Sequence, residues 1–396
     1  MKCEMWKNGI LVPVERPMEQ AKGCCRLTDL GQLVKEGLFW LDRKQLDRKA
    51  EKLFVAEKCV LIDAIEKGQA TLVNLSYGTM EEWKKRMEKE VKPRKKVHLL
   101  ALGDVGSMVL TTLKLLGGDC IEELGIYDVN DAVCRRWESE LNQAAYPWAY
   151  DALPEVVILK EEELFDCDVF VFCASKGIPP VGSDIKDVRM AQFEANRELI
   201  SLFAKKARMD GFKGLFAVVS DPVDPLCKAA FFASNENMEG QFDGKGLLPE
   251  QIQGYGLGVM NARAAYYAKQ DARFASFLTE GRAYGPHGED LVIANSIDHY
   301  DDALSRELTR LAVEANLRTR ELGFKPYVAP AISSAAISIL LTLRGEWHYS
   351  SNFLGGVYMG CKNRTTEYGL EMEALPLPEA LFSRIEKAYQ SLEAIL

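Results

Sequence analysis

The sequence predicts an α/β protein centred on a doubly wound parallel sheet, and three observations carry that prediction. Apolar runs short enough to be strands recur at residues 97–102 (VHLLAL), 124–128 (LGIYD), 168–174 (DVFVFCA) and 215–220 (LFAVVS). Their continuous apolarity indicates strands covered on both faces, as in a parallel sheet. Helix-length stretches separate them, the first over residues 108–116 and stopped by Gly117-Gly118. A glycine-bearing turn, Ala101-Leu102-Gly103-Asp104-Val105-Gly106-Ser107, joins the first strand to that helix.

At 396 residues the chain exceeds what one growing core supports, so two or three domains are expected. Residues 1–95 contain charge-rich helical stretches over 42–67 and 81–92 and close on the basic linker Lys92-Pro93-Arg94-Lys95-Lys96. They predict a small, mainly helical accessory domain without a catalytic constellation. Residues 96–225 hold the strand–helix alternation. In residues 226–396 longer helices dominate: Leu304, Leu308, Leu311 and Ala315 share one helical face. Leu381, Ile385, Ala388, Leu392 and Ile395 do the same in a closing helix that starts at Pro378. Both stripes read as core-facing.

The net charge of −9 argues against a nucleic-acid binder, which normally carries a basic face. The opening MKCEMW lacks the apolar run of a secretory signal, and residues 327–343 are too short and too rich in hydroxyls to span a bilayer. Ten cysteines, scattered singly apart from Cys24-Cys25 and with no CxxC pair, suit a reducing cytoplasm. That spacing predicts neither a disulfide framework nor a metal site.

Five pieces of the sequence carry chemistry. In the first turn, Gly103 lets backbone approach a pyrophosphate and Gly106 lets the helix pack close to the sheet. The N–H groups around Asp104 and Val105 open a helix whose positive dipole end favours a phosphate. Ala101 stands where a G-x-G-x-x-G fingerprint has its first glycine, so the turn alone also reads as plain strand–turn–helix packing. Asp128 follows the second strand 25 residues after Gly103, where a carboxylate accepts ribose hydroxyls and repels a 2′-phosphate, favouring NAD over NADP. Strand, glycines, helix, strand and acid in that order make a Rossmann-type NAD site the preferred reading.

His287 is one of only four histidines and lies in Tyr284-Gly285-Pro286-His287-Gly288-Glu289. Flanking glycines let a loop bring an imidazole, which titrates near neutrality, up to a ligand. Alone, the run reads equally as a surface turn. Upstream lie Ser220-Asp221-Pro222-Val223-Asp224 and the glycine-rich 252–263 (IQGYGLGVMNAR).

Those segments, with residues 97–130 and with Arg189 seven positions before Asn196, resemble the lactate/malate dehydrogenase family of NAD-dependent L-2-hydroxy-acid dehydrogenases. The resemblance covers about residues 96–396, including a Gly355-Gly356-Val357-Tyr358 strand and the final helix, and excludes the first 95. It implies an NAD-binding Rossmann domain over 96–225 and an α+β catalytic domain over 226–396. It also implies a small carboxylate substrate and a homo-oligomer, dimer or tetramer. By the resemblance, Arg263 grips the substrate carboxylate in a bidentate fork, Arg189 closes over the substrate on a mobile loop, and His287 moves the proton. Ala174 and Ser220 match backbone positions lining the cofactor.

The departures are equally specific. The family carboxylate that holds the histidine is Met260 here, so His287 loses a partner for its charged form and is a better base than acid. The family asparagine before Pro-Val-Asp is Asp221, which cannot donate to a substrate oxygen when ionised. The glutamate before His-Gly is Pro286, and the loop from Gly177 to Arg189 is lengthened. Asp221 is therefore expected to face His287 across the nicotinamide and to supply the carboxylate that Met260 does not. The alternative reading is an NAD-binding regulatory or scaffolding protein with impaired catalysis, residues 1–95 being its interaction module.

Overall fold

The computed structural model describes residues 94–176, 188–288, 290–366 and 369–395, with side chains of the second stretch from 192, and three short strands ahead of them. Those strands are β1 (Lys2–Trp6), antiparallel to β2 (Ile10–Val14), and β3 (Thr71–Leu72), parallel to β2. The helical stretches expected over 42–67 and 81–92 lie outside the described residues. The small sheet was not legible in the sequence.

The basic segment before the first apolar run is not a free linker. Arg94 donates through Nε and Nη2 to the Ile121 carbonyl at 2.9 and 2.7 Å, and Lys95 already belongs to β4 (Lys95–Leu100). After β4 come α1 (Asp104–Leu116), β5 (Ile121–Tyr127), α2 (Asp131–Asn142), β6 (Glu155–Ile158) and β7 (Val169–Phe172). Then follow α3 (Val188–Met209), β8 (Leu215–Val218), α4 (Val223–Asn235) and β9 (Ile252–Gly254). The six strands from β4 to β9 pair in parallel in the order β6-β5-β4-β7-β8-β9. Strand order reverses beside β4, and in such sheets the crevice at the carboxyl ends of the reversing strands is where ligands sit. This is the doubly wound Rossmann arrangement.

Continuous apolarity is what burial on both faces demands. Val97 and Leu99 of β4, Phe170 and Phe172 of β7, and Phe216 of β8 are fully buried. Phe165, Phe170 and Phe216 form an aromatic cluster against α3, with Phe165 and Phe170 centroids 4.6 Å apart.

The remaining chain extends the sheet and adds a further core of its own, built around Met260, Phe274, Ile293 and Leu308. It runs through α5 (Leu257–Ala268), α6 (Phe277–Glu280), the hairpin β10 (Arg282–Tyr284) and β11 (Val292–Ala294), and α7 (Asp302–Glu321). A π-helical segment, Pro330–Ala336, leads into α8 (Ile337–Arg344). The meander β12 (His348–Phe353), β13 (Tyr358–Thr366) and β14 (Gly369–Met372) then adds antiparallel strands to β9, giving nine in all. The closing helix α9 (Glu379–Glu393) starts after Pro378 and buries Leu381, Ile385, Ala388 and Leu392, whereas Ile395 is half-buried. On α7 only Leu308 of the expected stripe is fully buried; Leu304, Leu311 and Ala315 sit at the rim of the cluster. Among the described residues, no helix is long and apolar enough to cross a membrane, and no group of His, Cys, Asp and Glu is arranged to hold a metal ion.

Candidate active site

The turn after β4 leads straight into α1 through a tight, glycine-dependent bend. Ala101, at the position of the missing glycine, adopts a left-handed φ of 73°. Its methyl side chain therefore stands in a conformation glycine normally supplies. Gly103 is the N-cap of α1, and a Cβ built on it would meet nothing within 4 Å, so the space over the helix N-terminus is open. Gly106 is different: a Cβ there would lie 2.0 Å from the Ala101 carbonyl, so helix and loop can approach only because it is absent. Asp128, just past the end of β5, accepts from the backbone N–H of Leu102 at 2.8 Å and of Asn130 at 2.9 Å. Its carboxylate is thereby fixed beside the glycine turn.

One charge in the turn opposes a phosphate. Asp104 opens α1, and Lys325 Nζ meets its Oδ2 at 2.9 Å from the loop after α7. The cation arrives from a segment 221 residues away and counters the acid. Open backbone at Gly103, a fixed acid at Asp128 and a countered acid at Asp104 make these residues fit a dinucleotide.

The neighbouring strand ends are stitched together. Ser220 Oγ donates to the Ala174 carbonyl at 2.7 Å, joining β8 to β7. The fully buried Asn196 of α3 accepts from Lys176 N at 2.9 Å and donates to the Asp221 carbonyl at 2.8 Å.

His287 lies in the loop between β10 and β11. That loop is anchored by Gly285 N–H donating to the Gly360 carbonyl of β13 at 3.0 Å, and Gly285 and Gly288 take φ of 90° and 117°. The backbone N–H of His287 faces Asp224 Oδ2 at 3.4 Å, and Asp224, buried on α4, also accepts from Ser351 Oγ at 2.7 Å. The ring nitrogen Nδ1 meets the Gly256 carbonyl at 2.9 Å. A carbonyl only accepts, so this contact places the hydrogen on Nδ1 and leaves the lone pair on Nε2.

That contact corrects the expected relocation of the dyad: the partner of Nδ1 is a neutral backbone carbonyl, not the Asp221 carboxylate. The physical reason is proximity. A Cβ on Gly256 would stand 3.0 Å from the His287 Cβ, so the glycine backbone already occupies the place beside the ring.

The other histidines are committed elsewhere. His98 is buried in β4 with Nδ1 at 3.1 Å from the Leu164 carbonyl, and burial pushes its pKa down. His348 is buried between Thr342 and the Glu346 carbonyl, its pKa pushed down to about 4 by desolvation. His299 is exposed beside Glu280.

Arg263 projects from α5, the helix that Gly256 begins. Its Nη1 has only long contacts, 3.4 Å to Met260 Sδ and 3.4 Å to the Ala312 carbonyl. Burial pushes the guanidinium down from its usual range, opposed by the Tyr267 hydroxyl and the Asp221 carboxylate. Asp221 itself is exposed at the end of β8, so the strand-end acid and the helix arginine face the same space. Arg189 lies in the first turn of α3, but its side chain, the loop 177–187 and Glu289 are outside the described residues.

Four contributors were missed by sequence reasoning. Gly256, Asp224, Ser334 and Lys325 contribute a backbone carbonyl beside the ring, a buried carboxylate under the histidine loop, a buried hydroxyl that donates to the Gly256 carbonyl at 2.6 Å, and a distant cation. Asp224 and Gly256 lay inside runs already singled out, 220–224 and 252–263, whereas Ser334 and Lys325 carried no signal.

No family model matches this chain. It is similar to L-lactate dehydrogenase 2 of Staphylococcus aureus strain JH9, 23% identical over 333 residues, covering 76% of this chain and 98% of that protein. Among solved structures it is similar to MGS-M5, a lactate dehydrogenase from a Medee basin deep-sea metagenome library. The TM-score is 0.60 at 19% identity, covering 77% of this chain and 98% of the other. The malate dehydrogenase of Archaeoglobus fulgidus in complex with NADH matches at a TM-score of 0.61 and 17% identity, covering 76% and 98%. The chain thus resembles the lactate/malate dehydrogenases and shares their fold.

Proposed function

We propose that this chain is an NAD-dependent oxidoreductase acting on a small carboxylate-bearing 2-hydroxy or 2-keto acid, running best as oxidation of the hydroxyl. The observation that carries this reading is Arg263: a half-buried guanidinium with no ion pair among the described residues, on the helix whose N-cap carbonyl holds the ring of His287. A desolvated fork of donors with no carboxylate paired to it among the described residues suits a carboxylate ligand, which it can bind bidentately. The fold likeness supports the reading, since L-lactate dehydrogenase and a malate dehydrogenase in complex with NADH are among the similar proteins.

NAD, when bound, supplies a hydride acceptor. In the proposed site the open backbone at Gly103, with Asp104, Val105 and Gly106, holds its pyrophosphate at the N-terminus of α1, and Asp128 accepts from a ribose hydroxyl. Ala174 and Ser220 line the strand ends. Arg263 fixes the substrate carboxylate, with Arg189 closing over it. His287 Nε2, carrying the lone pair, accepts the proton of the substrate hydroxyl as the carbon is oxidised. Asp221 cannot donate a hydrogen bond to a ketone oxygen while ionised.

The test is NADH binding by fluorescence followed by turnover on a panel of 2-hydroxy and 2-keto acids. The reading expects cofactor binding and oxidation of at least one hydroxy acid, lost in His287→Gln. Cofactor binding without turnover of any acid would instead favour a regulatory NAD-binding protein, the outcome that Met260 in place of a carboxylate makes worth measuring.

A further inference from the structure

The first turn of α5 is capped from a distant part of the chain. Its N-cap residue is Gly256, which has no side chain to satisfy the free N–H groups there. Ser334, in the π-helical segment Pro330–Ala336, takes that role. Its Oγ accepts from the backbone N–H of Val259 at 2.8 Å and donates to the Gly256 carbonyl at 2.6 Å, 78 residues away in sequence. The same carbonyl meets His287 Nδ1. Ser334 is only 2% exposed, so water does not compete for these bonds.

The π-segment presses directly on the helix start. A Cβ on Gly258 would lie 2.5 Å from the Ser333 carbonyl and 3.0 Å from Ser334 Cα. Such widened turns are frequent at functional sites. Here the widening places a serine where an ordinary N-cap hydroxyl would be.

We propose that Ser334 is a positioning residue for His287. By fixing the direction of the Gly256 carbonyl it holds the imidazole in the Nδ1–H tautomer, with Nε2 as the basic nitrogen. The purpose assigned to that nitrogen rests on the dehydrogenase reading; the tautomer and its dependence on Ser334 do not. The arrangement differs in kind from a carboxylate partner: it orients the ring without adding a negative charge.

The test uses the full-length protein labelled with ¹⁵N-histidine. With four histidines in the chain, His287→Gln identifies the ring signal. At about pH 8, where an ordinary imidazole is neutral, the long-range ¹⁵N pattern separates the two tautomers. The wild type is expected to show Nδ1–H at His287, Ser334→Ala a mixture of tautomers, and Ser334→Thr the wild-type pattern. Turnover in Ser334→Ala should fall on the order of 10-fold with KM for the acid little changed, the scale of one lost hydrogen bond. Ser334→Cys, close to serine in volume and a weak donor, gives the same comparison if the alanine variant does not fold. An Nε2–H wild type, or Ala and Cys variants with the wild-type pattern, would overturn the assignment. If the wild type oxidises no hydroxy acid, the dehydrogenase reading falls while the tautomer comparison still decides the role of Ser334.

Discussion

Replacing Arg263 by Met separates substrate capture from everything else the residue does. Its guanidinium keeps only two contacts of 3.4 Å, to Met260 Sδ and the Ala312 carbonyl, so little internal bonding is lost. Burial already disfavours its charged form, and a thioether of similar length would sit beside Met260 without that cost. The proposed fork on a carboxylate is another matter. Two charge-assisted hydrogen bonds of about 1.5–3 kcal/mol each amount to roughly 3–6 kcal/mol, or about 10²- to 10⁴-fold in kcat/KM. Arg263→Lys should fall between, because a point charge cannot reproduce the fork. The assay is kcat/KM on the best 2-hydroxy acid, with NADH affinity by fluorescence and Tm in parallel. The expected pattern is a large loss in kcat/KM, unchanged NADH affinity, and Tm equal to or above wild type. A variant within a few-fold of wild-type kcat/KM, or one that loses NADH affinity in step with turnover, would refute the assignment of Arg263 to the substrate.

Two further outcomes follow from the same contacts. Asp128→Ala removes the acceptor of two backbone N–H groups, Leu102 and Asn130, beside the glycine turn. NADH affinity should weaken about 10-fold and discrimination against NADPH should shrink, read by paired fluorescence titrations; equal retention of both would count against the ribose role. His348 titrates near 4 in the folded protein against an ordinary value of 6.5, so the native state holds it neutral. Its contribution to stability is therefore fully present above about pH 6.5 and is lost as pH falls toward 4. The size is about 3 kcal/mol, from 1.36 kcal/mol per pH unit over that interval. Urea unfolding at a series of pH values should show this slope in the wild type and a flatter one in His348→Asn, and parallel slopes would exclude it.

The parts of this molecule that were legible in the sequence are those where local chemistry and fold agree. Strand runs such as 168–174 and 215–220 announced themselves because a strand buried on both faces has no room for polar residues. The turn holding Gly103 and Gly106, and Asp128 beside it, were readable because a tight strand–turn–helix unit restricts backbone at fixed spacing. β6 was missed: Glu155–Ile158 is a four-residue edge strand with an exposed Glu155 and Ile158, too short and mixed to stand out. The partner of His287 was beyond reach for another reason. A side chain can be sought by type, but every residue has a carbonyl, so nothing in the letters marks Gly256 as the one beside the ring. Ser334 is similar, since it acts only after 78 residues of chain have folded back onto α5.

The site's departures from the dehydrogenases it resembles acquire a common direction when taken as hydrogen-bond chemistry. Reducing a ketone calls for donors at the reacting oxygen, because a carbonyl brings none of its own. At this site the groups assigned to that oxygen are acceptors: an exposed Asp221 carboxylate and, by the proposed tautomer, the Nε2 lone pair of His287. A hydroxyl brings the one hydrogen such a pair can use. Met260 removes the negative charge that would favour imidazolium, and the Gly256 carbonyl replaces orientation without replacing charge. The substitutions at 221 and 260 are therefore not two independent losses. On the proposed reading both shift the resting site toward accepting a proton, which is the requirement for oxidising a hydroxy acid. Asp221→Asn discriminates: restoring a donor should raise the rate of keto-acid reduction relative to hydroxy-acid oxidation, and a fall in both rates together would argue that Asp221 acts in some other way.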